Sequence, residues 1–222
     1  VVFVHGWPEL WYSWRHQIEH VAGRGYRAAA LNVRGYGGSS NPVEIERYTL
    51  RELCGDVAAV IDALDGGPAI VVGHDWGAPI AWNTARLHPG HVRGVVGMSV
   101  PYTPVGATSL IELFEQVYAG KFFYQLYFQE PGVAEAELSA DHARSLRMTY
   151  YGASGEGVGT FLRDKPPEST FLDGMVDPDP LPAYLSAGDI DVYAAAYAQS
   201  GWHGPLNRYR AQGLDAADIG QL

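Results

Sequence analysis

The 222-residue sequence predicts an α/β protein, a mostly parallel sheet flanked by helices, with a helical lid behind it. Short β-branched runs alternate with helix-like stretches through the first hundred residues, and the strand signal stops at Pro101. Beyond that point the apolar spacing is helical, broken by loops rich in proline and glycine.

Four segments read as strands: Val1–Val4, Tyr26–Val33, Ala69–Val72 and Val92–Val100, near-continuous apolar runs of the kind a sheet covered on both faces contains. A helix is expected over Trp14–Ala22. A second opens on Thr49-x-x-Glu52, a capping-box pattern, and keeps Leu53, Val57, Val60 and Leu64 at helical spacing. A third runs from about Trp76 to Leu87 and stops before Pro89. Strands separated by helices need crossover connections, which are right-handed and make the sheet parallel.

After Pro101 an apolar stretch covers Leu110–Phe128, and helices are expected at His142–Tyr151 and at Asp189–Gln199, the latter stopped by Gly201. A proline-rich loop from KPPEST to PDPLP joins those two helices. The implied organisation is a partial α/β core over 1–101 and a lid, or cap, over 102–222. The chain opens inside a strand, VVFVHG, and closes at Leu222 in lid-like sequence, so a core truncated at both ends is expected. Four strands alone would leave two open sheet edges.

Fifteen basic residues against 25 acidic ones give a net charge of −10, which argues against nucleic acid as a partner. An apolar content of 47% is ample for a core. The single cysteine, Cys54, permits no internal disulfide, suits a reducing compartment and sits in an apolar helical pattern where it reads as packing. No run is apolar enough to span a bilayer and no charged-then-apolar leader is visible, so no membrane partner and a cytoplasmic location are expected. Oligomeric state has no signature in the sequence.

The chemistry centres on residues 73–77, GHDWG, between the apolar run AIVV and the helix-like APIAWNTARL. This is the strand, sharp turn and helix that in one hydrolase class carries Gly-x-Ser-x-Gly with a serine nucleophile; here Asp75 stands at the centre. Such a turn lifts the side chain above the sheet, where helix-terminal N–H groups favour negative charge, so Asp75 is expected to be ionised and to face a cleft. A carboxylate attacks an electrophilic sp3 carbon, as in an epoxide or alkyl halide, and leaves an ester on the protein, whereas serine suits acyl carbons. Gly-x-Asp-x-Gly alone would equally suit an ordinary helix N-cap. HGWPE at residues 5–9, directly after the first strand, adds a loop of the kind that supplies an oxyanion donor. The donors would be the backbone N–H groups of Trp7 and Trp76, and Trp7-Pro8 is a candidate cis peptide.

Taken in order and spacing, HGWPE, LWYSWRHQI, NVRGYGGSS, VVGHDWGAPIAW, YQLYFQEPGVAEAEL and SGWHGPLNRYR resemble the soluble epoxide hydrolases of the α/β-hydrolase superfamily, over nearly the whole chain. The resemblance implies a small apolar epoxide and water as substrates and no metal or organic cofactor. It also implies that two lid tyrosines, Tyr124 of YQLYF and Tyr209 of NRYR, hold the epoxide oxygen; a phenol with pKa about 10 can protonate the far more basic alkoxide yet stay neutral at rest. Tyr127, Tyr193 and Tyr197 read as packing.

The family's orienting acid and histidine base follow the lid, and no residue up to Leu222 matches them. His203 lies inside a lid motif, and His5 and His74 are expected to shape the loops beside Asp75. A haloalkane dehalogenase shares the aspartate nucleophile but holds its halide with tryptophan or asparagine N–H donors and needs no tyrosine pair. A non-catalytic binding module of this fold is a second alternative. A serine esterase is the weakest alternative, since no serine occupies the turn.

Overall fold

The structure is a computed structural model that describes residues 1–106, 109–161 and 163–220; the last two residues of the expected lid range lie outside these. Four parallel strands, β1 (Val2–Val4), β2 (Ala29–Leu31), β3 (Ala69–His74) and β4 (Val92–Met98), form one sheet in the order β2-β1-β3-β4. Val2 lies beside Ala29 on one side and Val71 on the other, which places β1 and β3 at the centre. Helices α1 (Arg15–Gly23), α2 (Leu50–Ala63) and α3 (Gly77–Leu87) fill the crossovers.

The period-two alternation of a strand explains how the sheet is covered on both faces. Phe3 and Val72 pack with Trp14, Ile18 and Val21 on the side of α1. Val2, Val4 and Val71 join Leu53, Val57, Ile61 and Ile80 on the side of α2 and α3. Cys54 is buried there with its Sγ 3.4 Å from the Ile80 carbonyl, and burial pushes its thiol up to about 12. On the outer strand β4, Val96 and Met98 remain 43% and 42% exposed.

β2 is shorter than Tyr26–Val33 because β1, its one partner among the described residues, has three residues, and because the Val33 N–H leaves the ladder to donate to His5 Nε2 at 3.0 Å. β4 stops at Met98, since Ser99 turns to φ +62. The Thr49–Glu52 capping box does not form. Thr49 occupies the N-cap with its side chain unused. Glu52 is drawn instead to Arg34 and Arg47, at 3.0 and 3.1 Å, and the Leu50 N–H donates to Asp215 of the last helix at 2.8 Å.

Residues after Pro101 form α4 (Leu110–Val117), α5 (Tyr124–Tyr127), α6 (Val133–Ser139), α7 (His142–Gly152), α8 (Val158–Phe161), α9 (Ala187–Ser200) and α10 (His203–Ile219). The apolar stretch Leu110–Phe128 is thus two helices, separated by a turn at Gly120, φ +74. α9 begins earlier than expected because Ser186 and Asp189 close a capping box. α10 is the helix the sequence hid, since Gly204 and Pro205 at its start look like a loop; proline is tolerated there because first-turn N–H groups have no partner within the helix. It packs across α2 and carries the ion pair Asp218–Arg51, 2.6 Å. Among the described residues no helix is long and apolar enough to cross a membrane.

Candidate active site

β3 delivers Asp75 at its carboxyl end and α3 leaves two residues later, so the chain reverses in one step and Asp75 is held at φ +49. That conformation is strained for a residue with a side chain and is paid back by its surroundings. Glycine is required on both sides. A Cβ on Gly73 would lie 2.0 Å from the Gly77 carbonyl oxygen, and one on Gly77 would lie 2.0 Å from that of Val4.

The HGWPE loop closes over this turn. Glu9 N–H donates to the Gly6 carbonyl and Gly6 N–H to Glu9 Oε2, each at 3.0 Å, and the Trp7–Pro8 peptide is cis. The Trp7 N–H then donates to Asp75 Oδ1 at 2.7 Å, and the Trp76 N–H also reaches the carboxylate. Burial pushes the Asp75 carboxyl up to about 6; the two N–H groups pull the other way, and Glu9 adds to the rise. Helix-end N–H groups therefore offset desolvation only in part, and near pH 7 the carboxylate form still dominates.

Two phenols lie near enough to the carboxylate for its charge to act on both. Tyr124 begins α5 and Tyr209 lies in α10, with their rings 6.0 Å apart and nearly perpendicular. Tyr209 meets the Trp76 ring at 5.4 Å and the Trp7 ring at 5.9 Å, both edge-on. Gln125 Nε2 donates to Tyr124 Oη at 2.9 Å, which leaves the Tyr124 proton free to be given elsewhere. The same amide accepts from Gln212 of α10 at 3.0 Å, tying the two helices together. Burial pushes Tyr124 up to about 12 and raises Tyr209 well above the ordinary tyrosine value, with the Asp75 charge contributing at both, so both are neutral phenols. Trp7, Phe128, Phe161 and Phe171 wall the space with ring contacts of 5.1 to 5.9 Å.

The histidines near this centre are engaged. His5 is buried, accepts the Val33 N–H at Nε2 and uses Nδ1 toward the Gly6 carbonyl at 2.8 Å; burial lowers it to about 4, so it is neutral with both nitrogens used. His74 Nδ1 pairs with Glu9 Oε2 at 3.1 Å, a bond that raises the His74 pKa; burial alone would raise that of Glu9, but His74 outweighs it and the carboxyl sits low. His203 Nε2 is bonded to the Pro42 carbonyl at 2.9 Å. Among the described residues no group of three metal-ligating side chains is gathered. Sequence reasoning did not give Glu9 a role, nor the aromatic wall, nor Arg208, whose guanidinium lies 4.6 Å over the Trp76 ring. An acidic residue inside HGWPE was the only signal available for the first.

The family described as alpha/beta hydrolase fold matches residues 1–172. Epoxide hydrolase A of Mycobacterium tuberculosis (strain ATCC 25618 / H37Rv) is 41% identical over 212 residues, 95% of this chain and 66% of that protein. Epoxide hydrolase B of the same organism is 37% identical over 253 residues, 99% of this chain and 71% of that protein. The crystal structure of epoxide hydrolase A from Mycobacterium thermoresistibile superposes with a TM-score of 0.93 at 40% identity, covering all of this chain and 70% of that one. An epoxide hydrolase from an endophytic Streptomyces gives 0.93 at 42%, covering 99% and 67%. The chain thus spans about two thirds of the length of these relatives. A strained aspartate turn with two neutral phenols nearby, on a parallel sheet of this order and with these likenesses, places the chain in the epoxide hydrolase family of the α/β-hydrolase superfamily.

Proposed function

We propose that the protein hydrolyses small apolar epoxides to vicinal diols, with Asp75 as nucleophile, Tyr124 and Tyr209 as acids, and the Trp7 and Trp76 N–H groups as oxyanion donors. The observation that carries this reading is the carboxylate of Asp75, gripped at Oδ1 by Trp7 N–H at 2.7 Å and near enough to Tyr124 and Tyr209, whose rings are 6.0 Å apart, for its charge to act on both. In the first half-reaction Oδ2 of the Asp75 carboxylate attacks a ring carbon. The C–O bond of the epoxide breaks as the ester bond forms, and a phenol protonates the released oxygen.

Water then attacks the ester carbonyl, and one water proton restores the tyrosine. Oδ1, which already accepts the Trp7 N–H, becomes the oxyanion, and each donor to it is worth roughly 3 kcal/mol. Collapse releases the second hydroxyl and leaves the water oxygen in Asp75. With His5 and His203 bonded to carbonyls and His74 to Glu9, none of them is assigned the water-activating role. The reaction as written needs no cofactor. Residues 1–101 act as the core and 102–222 as the lid, a division supported by β1 to β4 all lying before Pro101.

A haloalkane would meet the same nucleophile, but a leaving halide needs N–H donors and no proton, and the two phenols favour an oxygen leaving group. Incubation with a small aryl epoxide should add the mass of one epoxide to the chain, on the peptide that contains Asp75, wherever ester hydrolysis is slower than ring opening. Asp75→Asn should take no label. Binding of epoxide without labelling or turnover would overturn the assignment in favour of a binding module, and labelling by a haloalkane alone would favour the dehalogenase.

A further inference from the structure

We infer that Arg208 is a positioning residue for ring opening, fixing the Trp76 indole and through it the seat of Tyr209 over Asp75; the inference rests on the roles given to those two residues above. Arg208 and Tyr209 are consecutive on α10, and both touch the same ring. The guanidinium carbon of Arg208 stands 4.6 Å from the Trp76 ring centre, and the Tyr209 ring meets that indole edge-on at 5.4 Å. Trp76 is also the residue whose N–H reaches the Asp75 carboxylate. One indole thus links the lid helix to the turn, and Arg208 sets where it lies.

The guanidinium is itself immobilised by the core. Nη1 donates to the Tyr48 carbonyl and Nη2 to Asp215 Oδ2, while Asp215 Oδ1 takes the Leu50 N–H at the start of α2 at 2.8 Å. Arg208 is 3% exposed, and its Nε is buried without an acceptor. A buried pair with a donor left over is a poor way to stabilise a fold, because apolar residues of the same size commonly do as well. What arginine offers here is shape. Its plane stacks on an indole while its edge is bonded in two directions, and lysine can reproduce the charge but not that geometry.

Attack on a ring carbon tolerates little displacement, and a misplacement near 1 Å costs about 100-fold in rate. The full chain is therefore compared with Arg208→Lys and with Arg208→Met combined with Asp215→Asn, which removes both buried charges but keeps an acceptor for Leu50. Both variants should alkylate Asp75 with a small aryl epoxide about 10- to 100-fold more slowly, with the half-saturating epoxide concentration changed by less than about threefold. A variant that unfolds cooperatively near the parent's midpoint yet alkylates at the parent's rate overturns the inference. If the charge-free variant does not fold, Arg208→Lys, which keeps the ion pair, decides alone. A parent chain that is never alkylated marks failure of the Asp75 assignment instead. The positioning claim is then read from the near-ultraviolet circular dichroism band that Trp76→Phe abolishes, which Arg208→Lys should alter and whose persistence unchanged refutes it.

Discussion

The Trp7 N–H donates to Asp75 Oδ1 at 2.7 Å across 68 residues of sequence. This bond joins the loop after β1 to the turn after β3, two neighbouring strands in the sheet. Both loops leave the carboxyl ends of their strands, the edge of an open parallel sheet at which ligands bind. The bond is short because nothing separates the two loops. A Cβ on Gly6 would lie 2.4 Å from both Cβ and Oδ1 of Asp75.

Gly6→Ala should therefore push the carboxylate off its donors, and it would also press on the His74 carbonyl at the end of β3, 2.7 Å from the added Cβ. The expected result is a loss of epoxide labelling of about 100-fold or more, the cost of a displacement near 1 Å, with a smaller fall in thermal midpoint. Labelling at the parent rate would show that the Trp7 bond is dispensable for ring opening.

What the sequence made legible was local. GHDWG announces a tight turn because two glycines flank a residue forced to positive φ, and HGWPE announces a loop because a proline follows a buried strand. The features it hid are set by residues far apart: Glu9 meets His74 across 65 positions, and Arg208 meets the Tyr48 carbonyl across 160. Thr49 shows the same limit from the other side. Its capping-box partner Glu52 had better offers from Arg34 and Arg47, charges no local pattern connects to that helix start. α10 was missed because a glycine-proline pair reads as a loop until one knows that it occupies a helix's first turn.

The Asp75 pKa sets a pH dependence with a definite sign. A free aspartate titrates near 3.9, whereas burial pushes Asp75 up to about 6, so the folded state holds the proton more tightly than the unfolded one. The associated stability is present below about pH 4 and is lost as pH rises through about 6. Asp75→Asn cannot ionise. It should be more stable than the parent at about pH 8, on the order of 1–3 kcal/mol, and indistinguishable at about pH 4. In the parent the ring-opening rate should rise through about pH 6 to a plateau. Equal stability of the two proteins at high pH would mean that Asp75 is better solvated than its surroundings imply.

Glu137 holds the aromatic wall. Its Oε2 accepts the Tyr127 hydroxyl at 2.9 Å and the Phe171 N–H at 3.0 Å, and its Oε1 accepts the Leu172 N–H at 2.9 Å. Glu137→Ala strands two backbone donors beside a buried ring and should cost about 2–4 kcal/mol in denaturant titrations; Glu137→Gln, which keeps one acceptor, should lose about half as much. A change below about 0.5 kcal/mol for alanine would show that water replaces the carboxylate without penalty.

The lid phenols distinguish the chemistry most directly. Tyr124 accepts the Gln125 amide and so keeps its own proton to donate, while Tyr209 is 2% exposed against Trp7 and Trp76. Replacing either by phenylalanine removes one donor to the opening oxygen and leaves the aromatic packing in place. Each single variant should slow ring opening by about 10²-fold, within the range of general acid catalysis, and the double variant should nearly abolish it. Water attacks the ester at the carboxyl carbon, and in a single variant the remaining tyrosine still recovers its proton there, so mass should be gained more slowly but lost at close to the parent's rate once gained. The alkaline limb should also move. With Tyr124 at about 12 and Tyr209 also raised by burial, ring opening in the parent should fall only at strongly alkaline pH, and in Tyr124→Phe the remaining limb should belong to Tyr209. Unchanged labelling in the double variant would remove the reason to prefer an oxygen leaving group, and the halide reading would then be the better one.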